Sequence, residues 1–143
     1  MKNKISVLIA DDNTQITDEL SAYIAMQSDM SVAAVAADGE EAWELILETN
    51  PDAVILDMVM PKLDGMGVLR KLKSLSKKPV VVAYSISALQ RTIETAIGLG
   101  ADYYLLKPQT CERVAETVRE LTKSGNTASS AVKQEVDLEA LVT

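Results

Sequence analysis

Ala53-Val54-Ile55-Leu56-Asp57-Met58-Val59-Met60-Pro61 is the stretch that decides the fold. Four consecutive apolar residues leave no polar side to face water. The run therefore reads as a strand covered on both faces, and it ends in a carboxylate. Upstream, Ile5-Ser6-Val7-Leu8-Ile9-Ala10 is a second buried strand, running into Asp11-Asp12. Downstream, Pro79 to Tyr84 holds three consecutive valines and leads to Ser85, and Tyr103-Tyr104-Leu105-Leu106 leads to Lys107. Ser31 to Ala37, with Val32 and Val35, reads as a weaker strand.

Helical patterns separate these runs. Ile16, Leu20 and Ile24 share one helix face, as do Ala42, Leu45 and Ile46. Asp38, with Glu41 three residues on, marks the start of the second helix, and Pro51 ends it. Val68, Leu69, Leu72 and Leu75 give a third face. Leu89, Ile93, Ala96 and Ile97 give a fourth, broken by Gly98 and Gly100. Val114, Val118 and Leu121 give a fifth, closed by Gly125. Alternating buried strands and helices imply an α/β fold with a parallel sheet covered on both faces. Right-handed crossovers leave few arrangements. The five-stranded doubly wound sheet of flavodoxin-like order 2-1-3-4-5 fits the length.

Composition narrows the function. The net charge is −7 and histidine is absent, so this sequence offers no His-based triad or His metal site. An acidic surface with no Phe and a single Trp is a poor platform for nucleic acid. One cysteine excludes an internal disulfide framework, and no apolar run is long enough to span a membrane. The cytoplasm is the expected compartment. After Lys123 the stretch Ser124-Gly125-Asn126-Thr127-Ala128-Ser129-Ser130 is small and polar, a flexible linker. Asp137-Leu138-Glu139-Ala140-Leu141-Val142 then reads as a first turn or two of helix, either a frayed tail or the start of a second domain.

In a sheet of this order, ligands gather outside the carboxyl ends of the strands at the switch point between the first and third. Asp11, Asp12 and Asp57 end those two strands, so three carboxylates are expected in one crevice. Such a cluster repels itself unless a cation neutralises it, and all-oxygen ligands suit Mg²⁺. Ser85 and Lys107 end the fourth and fifth strands and bring a hydroxyl and an ammonium, which suit phosphoryl oxygens. Each residue alone has an ordinary explanation as a cap, turn or solvated residue. Their shared position at the strand ends gives them one chemistry, with Asp57 as nucleophile for an aspartyl phosphate.

At these residues the chain resembles the receiver domains of two-component response regulators. The resemblance rests on Ala10-Asp11-Asp12-Asn13, the stretch Asp57 to Gly65, Ser85, Gly100-Ala101 and Leu106-Lys107-Pro108. It implies that Asp57 is the phosphoacceptor. Asp12, Asp57 and the carbonyl of Val59 would bind Mg²⁺ directly, and Asp11 mainly through water. Ser85 and Lys107 would contact the phosphoryl group. Ser85 and Tyr104 would form the switch, Tyr104 turning into space that Ser85 vacates. Lys107-Pro108 matches a bond that is usually cis in the family.

The donor would be a sensor histidine kinase or a histidine phosphotransfer protein, docking near Gln15, Ile16 and Glu19. The altered face of the fourth helix, fifth strand and fifth helix would bias homodimerisation or partner binding. Within the family, Gln27-Ser28-Asp29-Met30 and Met60 to Gly65 with Val68-Leu69 are similar to receivers of stage-zero sporulation regulators. That implies residues 1–123 as receiver, 124–136 as linker and 137–143 as the truncated start of a DNA-binding effector domain. DNA would be reached only through that domain. The alternative is a stand-alone phosphorelay or interaction receiver.

A phosphatase forming the same intermediate commonly places a second Asp two residues after the nucleophile. Val59 stands there and cannot move a proton, so a signalling domain is expected rather than an enzyme. Ile86 and Val59, both apolar beside the acceptor, lead to an expectation of restricted water access to Asp57.

Overall fold

The computed structural model describes residues 4–124. Five strands alternate with five helices: β1 (Ile5–Ala10), α1 (Thr14–Ala25), β2 (Met30–Ala36), α2 (Gly39–Thr49), β3 (Ala53–Leu56), α3 (Gly65–Leu72), β4 (Val80–Ser85), α4 (Gln90–Gly98), β5 (Tyr103–Leu106) and α5 (Cys111–Ser124). All pairings are parallel and the strand order is β2-β1-β3-β4-β5. This is the doubly wound order expected from the sequence.

Strand pleating splits the core in two. Val7, Ile9, Ala53, Ile55, Val82, Tyr84, Tyr103 and Leu105 face α1 and α5, meeting Leu20, Ile24, Val114 and Val118. Leu8, Ala10, Val54, Leu56, Val81, Ala83 and Tyr104 face α2, α3 and α4, meeting Ile46, Leu69 and Ile93. Burying each large aliphatic side chain contributes roughly 1.5–3 kcal/mol, which is why the uninterrupted apolar strands settle at the centre. The edge strand β2 takes one irregularity, where the register with β1 slips between Val7 and Leu8.

Helix starts follow local side-chain chemistry. Asn13 accepts from the backbone of Gln15 and Ile16 at 3.0 and 3.2 Å. Asp38 accepts from Glu41 N–H at 2.8 Å, while the Glu41 carboxylate reaches back to Ala37 N–H at 2.8 Å. Asp64 accepts from Gly67 N–H at 2.9 Å. α2 ends at Asn50, in left-handed geometry with φ 54°, one residue before Pro51.

Three boundaries differ from the periodic reading. Leu89 is the residue before α4, 63% exposed, and is not on its buried face. The i to i+4 spacing cannot separate a cap from a first-turn residue. Gly98 is the last residue of α4 rather than its break. α3 stops at Leu72, and Leu75 packs against the core from beyond its end. The linker 124–136 and the segment 137–143 lie outside the described residues, apart from the backbone of Ser124 in α5.

Candidate functional site

The sheet register builds the site. Ala10 pairs with Leu56, so the next residues, Asp11 and Asp57, emerge side by side. Their backbones remain tied: Asp57 N–H donates to Ala10 O at 3.0 Å and Asp11 N–H to Ala36 O at 3.0 Å. Ser85 pairs with Leu106, and Lys107 N–H donates to Ser85 O at 2.9 Å. Residues far apart in the chain thus reach one rim.

The side chains converge as expected. Carboxylate oxygens of Asp11, Asp12 and Asp57 lie within 4.8 Å of one another. Asp57 is 4% exposed, Asp11 is buried, and Asp12 faces solvent. The Lys107 ammonium lies 2.8 Å from Asp11 Oδ2 and 3.4 Å from Asp57 Oδ2. Asn13 N–H donates to Asp11 Oδ1 at 2.9 Å, and Val59 N–H to Asp57 Oδ1 at 3.3 Å.

Electrostatics follow from this crowding. Burial, then the charge of Asp11, pushes the Asp57 carboxyl above its ordinary value, and Lys107 offsets only part of that. Burial works against the Lys107 charge. The hydrogen bond to Asp11 and the charges of both carboxylates outweigh it and hold the ammonium above its usual range. Among the described residues one cation is paired with this group of three acids, which leaves negative charge uncompensated. The donor set is all oxygen with one solvent-facing member, which fits a hard divalent cation such as Mg²⁺.

Ser85 and Tyr104 meet behind the rim. Ser85 is fully buried, and its Oγ accepts from Ser87 N–H at 3.4 Å. Tyr104 points inward, 1% exposed, and its hydroxyl donates to Ser87 O at 2.8 Å. Burial pushes that hydroxyl above its ordinary value, against the opposing hydrogen bonds of Ser85 and Ser87. The inner position that the sequence reading assigned to a switched Tyr104 is thus the one it holds here. Lys107-Pro108 is cis.

Ile86 departs from expectation. It is 74% exposed and Val59 60% exposed, so neither packs as a cover over Asp57 in this conformation. On α1, Gln15 and Glu19 are exposed and joined at 3.4 Å, beside the half-buried Ile16.

One participant escaped the sequence reading. Tyr84 accepts from Gln109 N–H at 2.9 Å and donates to Gln109 O at 3.2 Å. Its ring centroid lies 5.7 Å from the Lys107 ammonium. The available signal was a hydroxyl-bearing aromatic closing an otherwise aliphatic strand, directly before Ser85.

A family model described as the response regulator receiver domain matches residues 7–119. The chain belongs to that family. Among solved structures, this receiver is similar to the response regulator domain of Thermotoga maritima CheB, at 26% identity and TM-score 0.79, over 87% of this chain and 100% of that one. It is similar to a DNA-binding response regulator of the LuxR family from Staphylococcus aureus, at 28% identity and TM-score 0.78, over 82% and 98%. It also matches the CheX-CheY-BeF3-Mg²⁺ complex from Borrelia burgdorferi, at 28% identity and TM-score 0.75, over 82% and 89%. Among the receiver's described residues no helix is long and apolar enough to cross a membrane.

Proposed function

We propose that this receiver takes a phosphoryl group onto Asp57 from a phosphohistidine of a sensor histidine kinase or phosphotransfer protein. The observation that carries the reading is the acidic cluster at the switch point with Lys107 joined to two of its members. A carboxylate oxygen of Asp57 attacks phosphorus and the P–N bond breaks; its electron pair goes to the ring nitrogen, and with the ring's other nitrogen protonated the donor leaves as neutral imidazole. This sequence contains no histidine, so the phosphohistidine lies outside it. Docking uses the exposed start of α1 around Gln15, Ile16 and Glu19.

Asp11, Asp12, Asp57 and the carbonyl of Val59 would hold Mg²⁺. Bound there, it supplies positive charge opposite the oxygens of the transferring group. Lys107 exchanges a carboxylate partner for a phosphoryl oxygen, and Ser85 donates its hydroxyl to another. That draws Ser85 from its place beside Tyr104 and Ser87, which changes the loop between β4 and α4. The face made by α4, β5 and α5 then carries the signal, through homodimerisation or partner binding.

Residues 1–123 serve as the signalling unit, 124–136 as a tether and 137–143 as the opening of a DNA-binding output domain. Its sporulation role rests on the sequence resemblance. The work is a cytoplasmic switch and not turnover of small substrates.

Acetyl phosphate with Mg²⁺, read by intact mass, tests the chemistry. Wild type gains one phosphoryl group and Asp57→Ala gains none. An unlabelled wild type, or equal labelling of both, refutes the reading.

A further inference from the structure

We propose that Tyr84 is a positioning residue for Lys107, fixing the loop that carries the ammonium and backing the ammonium with its ring. This rests on the role given to Lys107 above. β5 ends at Leu106, and α5 begins at Cys111, so Lys107 lies in a short connection. A lysine on such a loop would ordinarily keep most of its rotamer freedom, which is costly to lose at the moment of reaction.

Three hydrogen bonds fix the backbone on either side of Lys107, so that only the side-chain torsions remain free. The buried Tyr84 hydroxyl takes Gln109 N–H and gives to Gln109 O, at 2.9 and 3.2 Å. The Gln109 side chain donates back to Leu106 O at 3.0 Å. Lys107 and Pro108 are thereby bracketed on both sides. Both Tyr84 bonds go to the backbone of residue 109, so the tie between residues 84 and 109 does not depend on the side chain there; only the bond back to Leu106 does. The hydroxyl of residue 84 is what the tie depends on.

The ring has a separate part. At 5.7 Å from the ammonium, its face lies within cation–π range. The carboxylates of Asp11 and Asp57 hold the same ammonium. A phosphoryl oxygen replacing one carboxylate partner would meet a cation already backed by the ring. The hydroxyl fixes the loop and the ring steadies the charge, so the two contributions separate by mutation.

Tyr84→Phe keeps the ring and removes the clamp. Labelling by acetyl phosphate with Mg²⁺ is followed in wild type, Tyr84→Phe, Lys107→Ala and the double variant, with rates normalised to the folded fraction from thermal melts. The maximal rate of Tyr84→Phe falls about tenfold, the scale of a sub-ångström misplacement of a reacting group. In the Lys107→Ala background the same change has no further effect, which a merely structural role would not produce. Tyr84→Leu, which also loses the ring, falls further. A Tyr84→Phe rate within twofold of wild type overturns the proposal, as does an equal loss in both backgrounds. Failure of wild type itself to label sinks the phosphoacceptor reading and this inference with it. Labelled wild type with an unaffected Tyr84→Phe sinks this inference alone.

Discussion

Replacing Gly65 by alanine tests whether the geometry of Asp57 is enforced by the backbone around it. Gly65 opens α3, is buried, and donates its N–H to Met58 O at 3.2 Å. A Cβ at this position would stand 2.5 Å from the carbonyl oxygen of Asp57, 2.6 Å from Met58 Cε and 2.7 Å from Met58 Cα. The methionine tip can swing aside, but the two backbone atoms belong to the segment that holds Asp57. Ordinary contact begins at 3.4 Å, so α3 and that segment must part by about 0.9 Å. Overpacking of this kind costs about 1–3 kcal/mol. For a domain of this size the melting temperature drops by about 4–12 °C.

The displacement falls on the acceptor itself. Labelling by acetyl phosphate with Mg²⁺ therefore slows by about ten- to a hundredfold. Gly98→Ala is the control: nothing lies within 4 Å of its added Cβ, at the end of α4. It gains up to about 0.5–1 kcal/mol from reduced backbone entropy and labels at the wild-type rate. Thermal melts and intact-mass time courses on the three proteins give the answer. A Gly65→Ala protein that melts and labels like wild type would refute the claim that this close approach positions Asp57.

The raised pKa of Asp57 means that its charged form is disfavoured in the folded state. Stability from this group is present at low pH and lost as pH rises through the folded value. Asp57→Asn therefore melts higher than wild type at pH 7, and the gap narrows on acidification; a gap that stays constant with pH would contradict this. Arg119 clasps Asp29 at 2.7 and 3.1 Å and Glu116 at 2.6 Å, tying α5 to the turn before β2. Both partners are partly solvated, so Arg119→Gln costs about 1 kcal/mol or less, and the cost shrinks in high salt; melts across a salt series check this. The Arg119 hydrogen bond holds the Asp29 carboxyl below its ordinary 3.8, so this contribution fades only as pH falls below about 4. Because Ile86 stands in solvent, Ile86→Ala leaves the lifetime of phosphorylated protein within about twofold of wild type. A several-fold shorter lifetime would mean that Ile86 closes over the phosphorylated site.

The strands were legible because a strand buried on both faces must be apolar throughout, and Val54, Ile55 and Leu56 are. The carboxylates were legible because strand ends in a parallel sheet have fixed neighbours: once Ala10 pairs with Leu56, Asp11 must stand beside Asp57. Period and position along a strand are properties of the chain, and sequence carries them. Other features depend on which atoms meet. Leu89 obeys the helical period and yet is exposed, since the start of α4 is set by local packing. Lys107 sits closer to Asp11 than to Asp57, Tyr104 already lies inward, and the Tyr84 hydroxyl closes on the backbone of Gln109. These are ångström-scale choices between residues brought together by four different strands. No spacing encodes them, because their energies exist only once the sheet has assembled and excluded water from between those groups.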